Sequence, residues 1–177
     1  PALTEPLTHA RAAADNDYPV LITGEDGTGK TLLAQLIHGQ SRRPDAPLVT
    51  TDCGSLSAGA LRQELLAESG GWRQALGGTL LLRRIGRLPD ELAEPLAVHL
   101  AGLLRSPERP AGLRVIATAA DEIAPSLLAL LDGIRIELPP LRERDGDLLL
   151  LTQHLAPGTK LGGLAISALL AYPWPGN

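Results

Sequence analysis

Val20-Leu21-Ile22-Thr23-Gly24-Glu25-Asp26-Gly27-Thr28-Gly29-Lys30-Thr31 reads as a short apolar strand running into a glycine-rich loop. Gly24 to Thr31 match the pattern G-x-x-x-x-G-K-[ST] of a phosphate-binding loop. The residue types follow from the chemistry. Glycines let successive backbone N–H groups turn inward onto phosphate oxygens. The helix that follows points its positive N-terminus at the same oxygens. Lys30 is placed to reach the β- and γ-phosphates, and the Thr31 hydroxyl to face a magnesium ion. The competing reading is a fortuitous glycine turn. The strand before and the helix after favour a nucleotide-shaped site made by Gly24, Glu25, Asp26, Gly27, Thr28, Gly29, Lys30 and Thr31. Whether that site is still used is a separate question.

Outward from the loop, strand and helix signals alternate. Leu3 to Ala14 reads as a helix closed by Asp15-Asn16-Asp17, and Lys30 to Gln40 as a second. A polar loop, Ser41 to Pro47, leads to a strand at Leu48 to Thr51, and a helix over Ala58 to Ala67 is broken at Ser69-Gly70-Gly71. Thr79 to Leu82 is the third strand, and Pro89-Asp90 open a helix to Leu104. A proline-rich loop spans Ser106 to Gly112. Arg114 to Thr118 and Ile134 to Leu138 are the last two strands, with a short helix between. The pattern predicts an α/β fold with a parallel sheet covered on both faces. After Pro139-Pro140 the character changes. Charged Arg142 to Asp147 precede two helices, Leu148 to Leu155 and Leu164 to Tyr172, with a flexible Ala156 to Gly163 between them. The expected division is an α/β unit over 1–140 and a partial helical lid over 141–177. The chain opens at Pro1 and stops at Trp174-Pro175-Gly176-Asn177, so the lid is expected to be truncated and partner domains to lie outside.

Composition narrows the class. With 44% apolar residues but no Phe or Met, the core must be built from Leu, Ala, Val and Ile. A net charge of −4 argues against a dominant nucleic-acid surface. A single cysteine, Cys53, excludes an internal disulfide and suits a reducing compartment, here the cytoplasm. No apolar run approaches the ~20 residues a membrane helix needs, so no membrane association is expected.

Several segments resemble, in the same order, the AAA+ domain of bacterial enhancer-binding proteins, the ATPases that activate the sigma-54 RNA polymerase. They are VLITGEDGTGKT, the TTDC stretch ending at Cys53, GGTLLL at Gly77 to Leu82, RVIATA at Arg114 to Ala119, LPPLRER at Leu138 to Arg144, and the terminal AYPWPGN. LPPLRER and WPGN are specific to that family. The resemblance implies a P-loop AAA+ three-layer sandwich with a five-stranded parallel sheet and a small C-terminal helical lid. It implies ATP or ADP as ligand, with magnesium held through Thr31 if the ion binds. It also implies a parent protein with a sensory domain and a helix-turn-helix, so that DNA is met only outside this chain.

Against that pattern the chain departs at four places. The family's third strand ends in Asp-Glu, the Asp organising magnesium and the Glu activating water. Arg83 and Arg84 stand there, a degenerate Walker B, and a guanidinium serves neither role. The segment between Cys53 and Gly77 is shorter than the family's and lacks the GAFTGA loop that touches sigma-54. The arginine-finger positions align with Ala124 and Leu130, and the polar sensor position with Ala120. Asp52 occupies the switch position, where the family has an Asn that contacts the catalytic Glu.

The expected function is therefore a degenerate AAA+ nucleotide-binding domain of a bacterial transcriptional regulator, without hydrolysis and without a sigma-54 contact. Self-association remains open and ring assembly is disfavoured. One alternative is a working ATPase with a rewired site, needing a recruited carboxylate such as Asp52 or Glu25. Another is a module that senses a small nucleotide signal. Asp52 and Arg84 are expected to pair across neighbouring strands, with both partly exposed and unpaired as the alternative. Arg83 either replaces magnesium in part or fills the site. Cys53 reads as buried packing, and His9, His38, His99 and His154 lack ligand spacing. Arg42, Arg43, Arg142 and Arg144 read as solvated loop residues, with the rim of a phosphate pocket as the alternative, and Trp174 as packing the lid on the core.

Overall fold

Continuous apolar runs at Val20–Ile22, Leu80–Leu82 and Val115–Ala117 are buried throughout, as strands must be when helices cover both faces of a parallel sheet. The computed structural model describes residues 2–105, 112–158 and 162–177. Strands β1 (Val20–Thr23), β2 (Leu48–Asp52), β3 (Thr79–Arg83), β4 (Arg114–Ala119) and β5 (Ile134–Glu137) form one parallel sheet in the order β2-β3-β4-β1-β5. Its register sets Asp52 beside Arg83 and Thr23 beside Ala119.

Side chains alternate between the faces, as the period of two requires. Leu21, Leu80, Leu82, Val115 and Ala117 pack with Leu61, Leu65, Leu92 and Leu96. These come from α3 (Ala58–Leu66) and α4 (Asp90–Arg105), and α5 (Pro125–Leu131) completes that layer. Val20, Ile22, Leu81, Ile116 and Ile136 face the other way, onto α1 (Thr4–Ala14) and α2 (Lys30–Gly39). The α/β fold and its five strands match the sequence reading, with ends shifted by a residue or so.

Two elements differ from expectation. The stretch after the Ser69-Gly70-Gly71 break is a 3-10 turn, Gly71–Ala75, which buries Trp72 and Ala75 against the sheet. The helix α6 runs Asp145–Leu155, starting inside the charged stretch, because the Arg144 carbonyl accepts the amides of Asp147 and Leu148 and closes the first turn early. A last helix, α7 (Gly163–Ala171), has no buried residue. Residues 106–111 of the expected proline-rich loop and 159–161 of the expected flexible segment lie outside the described residues.

Candidate nucleotide site

The glycine loop leaves the carboxyl end of β1 and enters α2, in the crevice beyond the strand ends where ligands of open α/β sheets bind. Two glycines are required by geometry. Gly24 has φ 142°, and a Cβ there would lie 2.5 Å from the Leu138 carbonyl oxygen. Gly27 has φ 81°, and a Cβ would run into the carbonyl of Gly176. Lys30 is 7% exposed, and its Nζ donates to the carbonyls of Gly24 and Glu25 at 2.8 and 2.7 Å. The Asp26 carboxylate lies 3.6 Å away. Burial pushes the Lys30 ammonium below the usual lysine range, and Asp26 opposes that shift. The loop's cation thus rests on its own carbonyls and on an exposed carboxylate 3.6 Å away.

Beside the loop runs an apolar groove of about 650 Å³, lined among others by Gly27, Leu32, Leu36, Leu148, Leu151 and Trp174. Leu32 is 72% exposed on that side of α2. Trp174 donates its Nε1 to the Leu169 carbonyl at 2.9 Å and stacks edge-on against Tyr172. It lines this groove rather than sealing it.

At the end of β3 the two arginines divide their work. Arg84 has φ 52°, and its N–H donates to Thr118 Oγ1 at 3.1 Å. Its Nε donates to Asp52 Oδ1 at 2.8 Å and its Nη2 to Ser55 Oγ at 2.6 Å. The expected Asp52–Arg84 ion pair is present, at 2.6 Å. Asp52 Oδ1 also accepts the Gly54 amide, and Oδ2 lies 3.5 Å from Arg83 Nη1. Partial burial raises the Asp52 pKa, but the Arg84 hydrogen bond and the Gly54 and Ser55 bonds outweigh it and hold the carboxyl below its ordinary value. Arg83 lines, with Lys30, Thr31, Arg84 and Thr118, a polar pocket of about 270 Å³.

Magnesium needs hard oxygen ligands. Thr31 offers one hydroxyl, but both Asp52 oxygens face guanidinium groups and positions 83 and 84 supply only N–H donors. This donor set does not fit the ion. Among the described residues no group of three or more His, Cys, Asp or Glu could hold a metal.

Three residues from the far end of the chain also reach the loop. Arg142 grips Glu25 through two hydrogen bonds of 2.9 and 2.6 Å. That bond and a weaker one from Asn177 hold the Glu25 carboxyl below its usual range. Arg144 is buried and donates to the Thr28 carbonyl at 3.2 Å. Asn177 accepts the Leu141 amide at 2.7 Å and donates to the Asp26 carbonyl at 2.8 Å. The reading of Arg144 as a solvated loop residue is thus corrected, while Arg142 is exposed as expected and still pairs with Glu25, so that LPPLRER and WPGN together back the phosphate loop. Arg43 is likewise engaged, with Asp17, Gly77 and Gly112. Cys53 is buried, its thiol pushed up to about 12 by desolvation first and by Asp52 second. Ala124, Leu130 and Ala120 supply no polar side chain where finger and sensor would stand.

The model of the Sigma-54 interaction domain matches residues 1–124 of this chain. The chain belongs to the sigma-54 interaction domain family. Among curated relatives it is 35% identical to the hydrogenase transcriptional regulatory protein HoxA of Cupriavidus necator, over 95% of this chain and 42% of HoxA. It is 34% identical to the alginate biosynthesis regulator AlgB of Pseudomonas putida, over 100% of this chain and 47% of AlgB. The chain spans about half the length of the curated relatives it matches. The AlgB alignment runs over 212 positions, so about 35 of them have no counterpart among the 177 residues here. Its fold is similar to NtrX of Brucella abortus, solved in complex with ATP, with TM-score 0.84 and 25% identity over 99% of this chain and 48% of NtrX. DnaA of Aquifex aeolicus shares the fold at TM-score 0.66 and 17% identity, over 96% of this chain and 55% of DnaA. This sigma-54 interaction domain therefore has the P-loop AAA+ architecture expected from sequence. Among its described residues no helix is long and apolar enough to cross a membrane.

Proposed function

We propose that this domain binds ATP or ADP at Gly24–Thr31 without hydrolysing it, and serves a bacterial transcription regulator as a structural, self-associating module in the cytoplasm. The observation that carries the reading is the closed cluster at the end of β3, where Arg84 and Arg83 turn onto Asp52. Hydrolysis needs a base to activate water and a counter-charge for the transferring phosphoryl group. Arginine stays protonated and cannot be the base. The carboxylates around the site are each met by a cation: Asp52 by Arg84, Glu25 by Arg142, Asp121 by Arg87 and Asp26 by Lys30.

Binding is favoured by the intact loop, by Lys30 held at its base and by the apolar groove, whose leucines and Trp174 suit a purine base. NtrX, solved with ATP and with ADP, supports the same ligand class. The absence of a GAFTGA motif between Cys53 and Gly77 supports loss of the sigma-54 contact. In this reading residues 141–177 form part of the lid, DNA contact belongs to another part of the parent protein, and missing finger arginines weaken ring assembly. A phosphate-release assay beside isothermal titration with ATP and ADP tests the proposal. Expected are saturable binding lost in Lys30→Ala and no turnover above buffer. Turnover that Lys30→Ala abolishes would overturn it.

A further inference from the structure

We infer that the pocket at the end of β3 takes nucleotide phosphates free of magnesium, with Arg83 donating to them from the place the ion would need. This rests on the nucleotide-binding reading above and adds the form of the ligand. The two arginines are not equivalent. Arg84 spends its Nε and Nη2 on Asp52 and Ser55 at 2.8 and 2.6 Å and braces the cluster. Arg83 is looser. Its Nη1 stands 3.5 Å from Asp52 Oδ2, longer than a normal hydrogen bond. Its Nε is shielded from solvent and has no hydrogen-bond partner among the described residues. The side chain is 39% exposed and lines the same pocket as Lys30, Thr31 and the start of α2. A planar guanidinium with unspent donors matches phosphate oxygens in paired geometry.

Charge points the same way. With Asp52 paired between them, Arg83 and Arg84 leave the end of β3 with a net charge of +1, at positions that offer N–H donors and no metal-binding oxygen. A divalent cation arriving with the nucleotide is repelled by both arginines and finds no free carboxylate on Asp52. A metal-free triphosphate brings more negative charge to Lys30 and Arg83 than its magnesium complex does. The site should therefore prefer the metal-free form, by about tenfold for 1.4 kcal/mol of net electrostatic difference.

The test is isothermal titration of the 177-residue chain with ATP at constant ionic strength, once in excess EDTA and once in saturating magnesium chloride. Affinity about tenfold higher in EDTA than in magnesium is expected, and equal affinity overturns the preference. Weaker binding in EDTA overturns the inference and leaves nucleotide binding standing. No binding in either buffer overturns both. Arg83→Gln, with folding checked by thermal denaturation, should lose more affinity in EDTA than in magnesium. An equal loss in both buffers overturns the role given to Arg83.

Discussion

Removing the Asp52 charge should destabilise this domain more than removing the Arg84 charge, although the two residues share one ion pair. Asp52→Asn leaves Arg83 and Arg84 facing a neutral amide, and their mutual repulsion uncompensated. Arg84→Gln leaves Asp52 with Arg83 and the Gly54 amide. Glutamine also keeps the backbone cost of the positive φ at position 84 nearly constant. Two unit charges at about 4 Å interact by about 1 kcal/mol in water and about 4 at an effective dielectric near 20. Arg84 is 38% exposed and Asp52 19%, so solvent screening sets the coupling at the lower end, about 1–2 kcal/mol. Expected losses are about 2 kcal/mol for Asp52→Asn and about 1 for Arg84→Gln, with the double variant less destabilised than their sum. For a domain of this size Asp52→Asn then lowers Tm by about 4–8 °C. Urea unfolding of the four proteins at neutral pH and low salt measures the cycle. Single effects that sum to the double within about 0.5 kcal/mol would refute a working ion pair.

Three further expectations follow from other features of the site. The Asp52 carboxyl is held below its ordinary value near 3.8, so the folded state binds fewer protons there than the unfolded chain. Its contribution is full above that value and fades as pH falls through the lower folded pKa; wild type should lose stability in that acid window more steeply than Asp52→Asn, and parallel curves would contradict this. Gly27→Ala should cost more than Gly29→Ala in thermal denaturation, because both have positive φ but only at Gly27 does a Cβ meet Gly176; left-handed strain alone is about 1–2 kcal/mol, and equal Tm losses would remove Gly176 from the account. Cys53, its thiol pushed up to about 12, should resist thiol reagents at mildly alkaline pH in the folded protein and react after unfolding; rapid labelling of the native state would show the burial to be wrong.

Much of the fold was legible because its signals are local. The run Val20–Ile22, the glycines and Lys30 announce strand, loop and helix within a dozen or so residues of chain, the span over which periodicity operates. The pairing of Asp52 with Arg84 was legible in a different way, as two coupled departures from a family pattern, a neutral residue turned acidic and an acidic one turned basic. What stayed hidden was long-range. Arg142 meets Glu25 across 117 positions and Asn177 meets Asp26 across 151. Nothing in the charge of Arg142 to Asp147 distinguishes a solvated loop from a helix start whose arginines turn back onto the phosphate loop. The signal was available in LPPLRER and WPGN, which marked the family but carried no direction. The burial of Arg144 could be known only once the two ends of the chain were set side by side.

The Asp52–Arg84 contact also bears on which substitutions the end of β3 can accept. A glutamate at position 84 alone would set a second carboxylate against Asp52, where the guanidinium now lies 2.6 Å from the acid. Neighbouring like charges disfavour each other's ionised form, so an acidic residue at position 84 meets resistance from its own neighbour. An amide at position 52 alone strands Arg84 and Arg83 beside each other. Each single change breaks the contact from one side, so positions 52 and 84 can exchange their charges only together.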